Sequence, residues 1–284
     1  MPARLPGLDP TYLAGLRRPR VDADQIAARI RAHLDAHDGY LAYSGGKDST
    51  VVLHQVLQVD PNVPVVFFDS GFEFPETYAY LEQLQHDLDL RLHWIRTRHT
   101  TLEVLHASGV WDHHAPDNDA PNLFDTLITE PAGRAHAAHG LGELWGVRSQ
   151  ESRGRAAAYA NALRAEISTA CHGCCTDTDR EARATAQRRR HGGVIRRRDH
   201  TVAYGTVWDW KTDDVWAYLA RHHLPVNPVY DKLRRLGAPE HALRVSHMLD
   251  GSQLEQGRVT WLRRGWPDLF EDLARVLPRI REFV

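Results

Sequence analysis

The stretch LAYSGGKDSTVVLHQ, Leu41–Gln55, runs apolar, breaks into Ser-Gly-Gly-Lys-Asp-Ser, and resumes with Val52, Leu53, Val56 and Leu57 at helical spacing. A short buried strand followed at once by an amphipathic helix places the break at a strand-to-helix turn. Two successive glycines let the backbone adopt conformations closed to other residues and bring its N–H groups against an anion, and the helix starting near Asp48 points its positive dipole end the same way. Phosphate suits this arrangement best. The loop is not a Walker A motif, because Lys47 lies one residue past the glycine pair and Asp-Ser follows it. An ordinary tight turn would have no use for Ser44, Lys47, Asp48 and Ser49 together.

Outward from this loop, strand-like and helix-like segments alternate. A helix capped by Asp22 or Asp24 carries Ile26, Ile30 and Leu34 on one face. Strands are expected at 39–43, 63–69, 90–97, 142–147 and 202–208, with a helix from about Pro75 whose inner face is Tyr78, Leu81, Leu84 and Leu88. Short βαβ crossovers favour a parallel sheet wound in the right-handed sense. The fold expected is α/β: a doubly wound, five-stranded parallel sheet with helices on both faces. Residues 106–135, rich in His, Asp, Asn and Pro, read as a long loop. From Thr212 the pattern is helical, and PDLFEDLARVLPRIREFV closes the chain as one helix with Leu269, Leu273, Val276 and Ile280 inward. Ligands of such sheets bind beyond the carboxyl ends of the strands, where Ser44–Ser49 falls.

Composition limits the function classes. The chain has 284 residues, 42% of them hydrophobic and 25% charged, with a formal net charge of −2, so no global field advertises nucleic acid or membrane. No apolar run approaches the roughly 18 residues of a membrane span, and a cytoplasmic protein is expected. The basic residues are almost all arginine. Lysine occurs only at Lys47, Lys211 and Lys232, which singles out Lys47.

In GVRSQESRGR, residues 146–155, the side chains Arg148, Glu151, Ser152 and Arg155 fall at i, i+3, i+4 and i+7 and would share one helix face. Such a face can present two guanidiniums to a phosphate or sulfate while Glu151 holds one of them; a plain surface salt bridge is the alternative. Asp69 ends a buried strand and could hold Mg²⁺ or a ribose, and Glu73 could cap the helix beginning at Pro75.

Four stretches, in order over roughly residues 40–235, resemble the PP-loop ATP pyrophosphatases (adenine nucleotide alpha hydrolases), and within them the phosphoadenosine phosphosulfate (PAPS) reductase family. They are SGGKDS (44–49), FFDSGFEFPET (67–77), GVRSQESRGR (146–155) and WKTDDVWAYLARHHLPVNPVYD (210–231). The resemblance implies a PP-loop nucleotide-binding domain over 39–231 between helical extensions at 1–38 and 232–284. It implies ATP bound through Ser44, Gly45, Gly46, Lys47, Asp48, Ser49, Asp69, Arg148, Glu151, Ser152 and Arg155, with Mg²⁺ held by Asp48 and catalysis by Lys47, Asp48 and Arg148. The reaction implied is cleavage of ATP between the α and β phosphates to adenylate an acceptor in sulfur transfer. One setting is DNA phosphorothioation, with a cysteine desulfurase or other sulfur donor as partner. The alternatives are a divergent sulfonucleotide reductase, a sulfate adenylyltransferase small subunit needing a GTPase partner, or a module that binds nucleotide or nucleic acid without turnover.

The sequence departs from the reductases in having no cysteine after Cys175. Cys171, Cys174 and Cys175 stand together in CHGCC, an odd number suited to a reducing compartment. Three readings stay open: structural thiols, a redox-active or persulfide-carrying pair, and ligands of a metal or of an iron–sulfur cluster with an open position. The run QRRRHGGVIRRRDH (187–200) offers Arg188–Arg198 as a nucleic-acid groove, a lid over phosphates or a solvated loop. His113 and His114 could bind metal but are more simply unliganded.

Overall fold

The computed structural model describes residues 22–108, 123–170, 192–246 and 258–284. Two compact units are drawn from interleaved stretches of chain. The first takes the described residues up to Ala42, Lys47–Val63 and His139–Pro225; the second takes Tyr43–Gly46, Pro64–Ala138 and the described residues from Val226 to Val284. The chain is α/β, as the sequence leads one to expect.

In the first unit, helix α1 (Ala23–His37) starts at Asp22, whose carboxylate accepts from the Asp24 N–H at 2.9 Å, and buries Ile26, Ile30 and His33. Strand β1 (Tyr40–Ala42) pairs in parallel with β4 (Gly142–Trp145), Leu41 opposite Leu144. Strand β6 (Val202–Tyr204) lies parallel on the far side of β4 and carries the antiparallel β5 (Val194–Arg196) at the edge. Helix α2 (Lys47–Leu57) packs on β1 and β4, and its Val51, Val52 and Val56 are fully buried. Helix α6 (Arg153–Ala170) packs beside β5, and α7 (Thr212–Arg221) packs on α2.

In the second unit, β2 (Val65–Asp69) and β3 (Leu92–Arg96) run parallel, Asp69 opposite Arg96. The Tyr43 N–H donates to the Val66 carbonyl at 2.8 Å. Helix α3 (Pro75–Asp87), with proline at its first turn, buries Tyr80, Leu81 and Leu84, whereas Leu88, expected inward, is the residue that ends the helix and is 49% exposed. Helices α4 (Thr101–Ser108) and α5 (Glu130–His139) follow. Toward the carboxyl end, α8 (Pro228–Arg235) packs on α3 and on α9 (Arg258–Gly265), α9 on α10 (Pro267–Val276), and α10 on α4.

Three sequence expectations are corrected here. The five expected parallel strands are present, but a sixth, β5, occupies the part of the arginine run read as loop, because Val194 and Ile195 pair with β6 across a turn at 197–200. The stretch 106–135 is not one loop: a π-helical turn at Asp125–Thr129 leads into α5, and Leu123, Leu127 and Ala135 are buried. The closing helix splits, since Pro278 has no N–H to continue α10; a 3₁₀ turn over Pro278–Phe283 still buries Ile280.

Candidate functional site

In the first unit, β1 and β4 are neighbours although β2 and β3 intervene in sequence, and the residues beyond their carboxyl ends form a charged cluster. Gly146 makes it possible. A side chain there would begin 2.5 Å from the Ser49 nitrogen and 2.9 Å from the Asp48 carbonyl carbon, so the exit of β4 can press against the first turn of α2 only with glycine. Asp48 then lies between two cations: its Oδ2 is 2.8 Å from Lys47 Nζ and its Oδ1 is 2.6 Å from Arg148 Nε. Arg148 is 3% exposed. Its Nη1 donates to the Trp210 carbonyl at 3.1 Å and to Gln150 Oε1 at 3.3 Å, and its Nη2 donates to Thr212 Oγ1 at 3.4 Å. Two cations and one carboxylate leave the cluster positive, at the positive end of the α2 dipole.

Arg148, Glu151, Ser152 and Arg155 do not share a helix face. Ser149–Glu151 is a 3₁₀ turn, Ser152 is extended, and α6 begins at Arg153. The pattern fails because both ends of the segment are tied: the Ser149 N–H donates to the Trp208 carbonyl at 2.7 Å, and Ser152 Oγ accepts from the Arg155 N–H at 3.2 Å. Glu151 does hold Arg155, as an ion pair, and also accepts from the Arg148 N–H at 3.1 Å. Trp208, Trp210 and Thr212 are supports that sequence reasoning missed as site residues. Trp210 and Thr212 lie in the stretch 210–231 that carries the family resemblance, and Trp208 stands two residues before it.

In the second unit, Ser44 Oγ accepts from the Gly46 N–H at 3.4 Å, and Gly45 alone of the glycine pair has the left-handed φ, +68°. Asn227, 2% exposed, fixes this turn. Its Nδ2 donates to the Gly45 carbonyl at 3.3 Å and to Thr77 Oγ1 at 3.1 Å, while its Oδ1 accepts from the Val229 N–H at 3.0 Å and so caps α8. Asp69 Oδ1 accepts from the Tyr78 hydroxyl at 2.7 Å and the Gly71 N–H at 2.9 Å.

Glu73 does not cap α3; its Oε1 accepts from the Ser70 hydroxyl at 2.6 Å. Burial, with the Asp69 charge nearby, pushes its carboxyl up from 4.5 to about 8. A carboxyl raised on folding stabilises fully below its unfolded value, and that contribution is lost between pH 4.5 and about 8. Glu73→Gln should therefore raise stability at pH 8 by about 2 kcal/mol and little at pH 4.5; full burial would give about twice that, but solvent screening reaches a side chain not completely enclosed. Thermal melts at the two pH values read the difference, and equal gains at both would refute the assignment.

Both oxygens of Asp48 already face cations, which does not fit the metal-ligand role expected of it. Among the described residues no group of three or more His, Cys, Asp and Glu is placed to hold a metal ion. Cys171, Cys174, Cys175, His113, His114 and Arg188–Arg190 lie outside the described residues. Of the rest of the arginine run, Arg197 is committed within the first unit: its Nη2 is 2.5 Å from the buried Glu143, and its guanidinium sits 5.0 Å over the Trp145 ring. Among the described residues no helix is long and apolar enough to cross a membrane.

A family model described as the phosphoadenosine phosphosulfate reductase domain matches residues 39–240. The chain is 27% identical over 264 residues to a phosphoadenosine 5'-phosphosulfate reductase of Alkalilimnicola ehrlichii, covering 91% of each chain. It is 26% identical over 238 residues to the protein of that name from Xylella fastidiosa, covering 80% of this chain and 81% of the relative. A solved phosphoadenylyl-sulfate reductase of Candida auris, in a phosphate complex, is similar at a TM-score of 0.49 and 18% identity over 83% of this chain and 94% of that one.

Proposed function

The chain belongs to the phosphoadenosine phosphosulfate reductase domain family, a family of enzymes, and from that premise we propose that it cleaves ATP between the α and β phosphates to adenylate an acceptor in sulfur transfer. The observation that carries this reading is the placement of Lys47 at the first turn of α2, paired with an Asp48 that the buried Arg148 holds from behind. The first N–H groups of α2 have no carbonyl partner within the helix. With Lys47 and the dipole they suit the β and γ phosphates, and they stabilise the charge that grows on pyrophosphate as it leaves. An acceptor oxygen attacks the α phosphorus, the bridge to the β phosphate breaks, and pyrophosphate departs with the electron pair. DNA phosphorothioation is one setting for this step, with a cysteine desulfurase as sulfur donor and Cys171, Cys174 and Cys175 as carriers.

Purified protein with ATP and Mg²⁺ is expected to yield AMP and pyrophosphate. ADP and phosphate as the main products would sink the α–β assignment.

The names of the curated relatives favour one second reading, reduction of a sulfonucleotide. That chemistry needs a thiol to take the sulfonate group, whereas adenylation needs none. Replacing all three cysteines with serine is therefore expected to leave pyrophosphate release within a factor of about two of the unmodified protein. Sulfite formed from PAPS with reduced thioredoxin, lost in the triple variant and with no pyrophosphate made from ATP, would turn the assignment to the reductase.

A further inference from the structure

Within the first unit, the peptide joining Val147 to Arg148 is held at both of its edges, and the hold comes from α6. Its carbonyl accepts from the Tyr159 hydroxyl at 2.9 Å, and its N–H donates at 3.1 Å to the Glu151 carboxylate, which Arg155 pairs in turn. Arg155 and Tyr159 stand one turn apart on α6 and so share a face. A trans peptide points its carbonyl and its N–H to opposite sides, so the two bonds together fix the plane from which the Arg148 side chain departs. The next residue is tied as well: the Ser149 N–H donates to the Trp208 carbonyl at 2.7 Å, and the Trp208 ring lies 5.3 Å from that of Tyr159. The hydroxyl itself is built into place. Tyr159 is 3% exposed, and its oxygen accepts from the Trp145 Nε1–H at 3.0 Å, which leaves its own proton for Val147. Burial raises the hydroxyl above its ordinary pKa, so that proton stays on. A side chain on Gly205, just past β6, would begin 2.7 Å from the hydroxyl oxygen and 3.1 Å from Trp145 Nε1, so the space the hydroxyl occupies depends on glycine there.

We infer that Tyr159 is a positioning residue for the proposed ATP reaction: its hydroxyl fixes the Val147–Arg148 peptide, and Arg148, so fixed, holds Asp48 beside Lys47. The inference rests on that reading for its chemistry. The path is short: Tyr159 holds the Val147 carbonyl, Arg148 follows in the chain, its Nε is 2.6 Å from Asp48 Oδ1, and Asp48 Oδ2 is 2.8 Å from Lys47 Nζ. Released at its carbonyl, the peptide turns about its remaining bond, and a long side chain converts a small turn at its root into a larger displacement of its guanidinium. Lys47 then loses the fixed carboxylate that sets where its ammonium stands, and misplacement of a charge by a fraction of an ångström is enough to slow a step that depends on alignment.

The scarcity of lysine supplies the test. Isotope-labelled lysine in the full chain gives NMR signals from Lys47, Lys211 and Lys232 alone, and that of Lys47 is identified by its absence from Lys47→Arg. Tyr159→Phe keeps the ring and removes the oxygen. It should displace the Lys47 signal while that of Lys232, in the second unit, stays in place. It should also lower kcat for pyrophosphate release about fivefold or more, with KM for ATP within a factor of about two. Trp145→Phe removes the other bond to the same hydroxyl but leaves Val147 held, so it should lower the melting temperature and leave the Lys47 signal and kcat unchanged. Gly205→Ala crowds the hydroxyl and should act like Tyr159→Phe; it decides if Tyr159→Phe does not fold. A Lys47 signal unmoved by the loss of the hydroxyl, a displaced signal with unchanged kcat, or an equal displacement in Trp145→Phe would overturn the inference. An unmodified chain that releases no pyrophosphate would fail the ATP reading instead, and the lysine signal would still decide whether Tyr159 sets the cluster.

Discussion

Lys47→Ala should lower the rate of pyrophosphate release from ATP by about 10²-fold or more, the scale of losing one preorganised donor to a developing oxyanion. The fold should survive the change. Asp48 keeps its bond to Arg148 at 2.6 Å when its ion pair with Lys47, at 2.8 Å, is lost. The loss should fall on the chemical step more than on ATP affinity, since the charge Lys47 meets increases as pyrophosphate departs. Lys47→Arg keeps the charge but cannot present it as a compact ammonium, and should recover only part of the rate. A rate for Lys47→Ala equal to that of the unmodified protein would remove Lys47 from the mechanism.

Arg148→Ala should cost about 3 kcal/mol of stability, because it strands the Trp210 carbonyl and Thr212 and leaves Asp48 with half of its compensation. From sequence spacing alone Arg148 is expected to meet phosphate directly, and its replacement would then weaken ATP binding with the fold intact. The structure reverses that order of effects. A guanidinium 3% exposed and engaged with four partners is a strut for Asp48. Urea unfolding midpoints measure the cost, and Arg148→Lys, which cannot span the same partners, should recover little of it. A variant that unfolds like the unmodified chain but no longer binds ATP would restore Arg148 as a nucleotide ligand.

The parts of the fold legible in the sequence were those where burial dictates residue type. Tyr40-Leu41 and Val65-Val66-Phe67 could be read as strands because they sit in the core and are apolar throughout. Strand β5 was hidden because an edge strand needs only one partner, and Val194-Ile195 lies amid arginines and glycines that signal loop. Helix α5, EPAGRAHAAH, has a proline and a glycine and buries little beyond Pro131 and Ala135, so no apolar stripe announces it. Within the site, Lys47, Asp48 and Arg148 were legible because their chemistry is in their side chains. Trp208 and Trp210 were not, since each serves Ser149 or Arg148 through a backbone carbonyl that any residue possesses. Asn227 reads as an ordinary helix cap before Pro228, and its second use, on Gly45, depends on tertiary packing.

That bond from Asn227 to Gly45 joins residues 182 positions apart. During synthesis at about 5–20 residues per second, the glycine turn is made roughly 10–40 seconds before its anchoring side chain. The turn therefore spends much of translation without its final restraint. Assembly of the second unit must wait for the carboxyl-terminal part of the chain, as expected where contacts distant in sequence complete a fold. A nascent chain stalled before residue 227 should expose the turn to protease, and release of the finished chain should protect it.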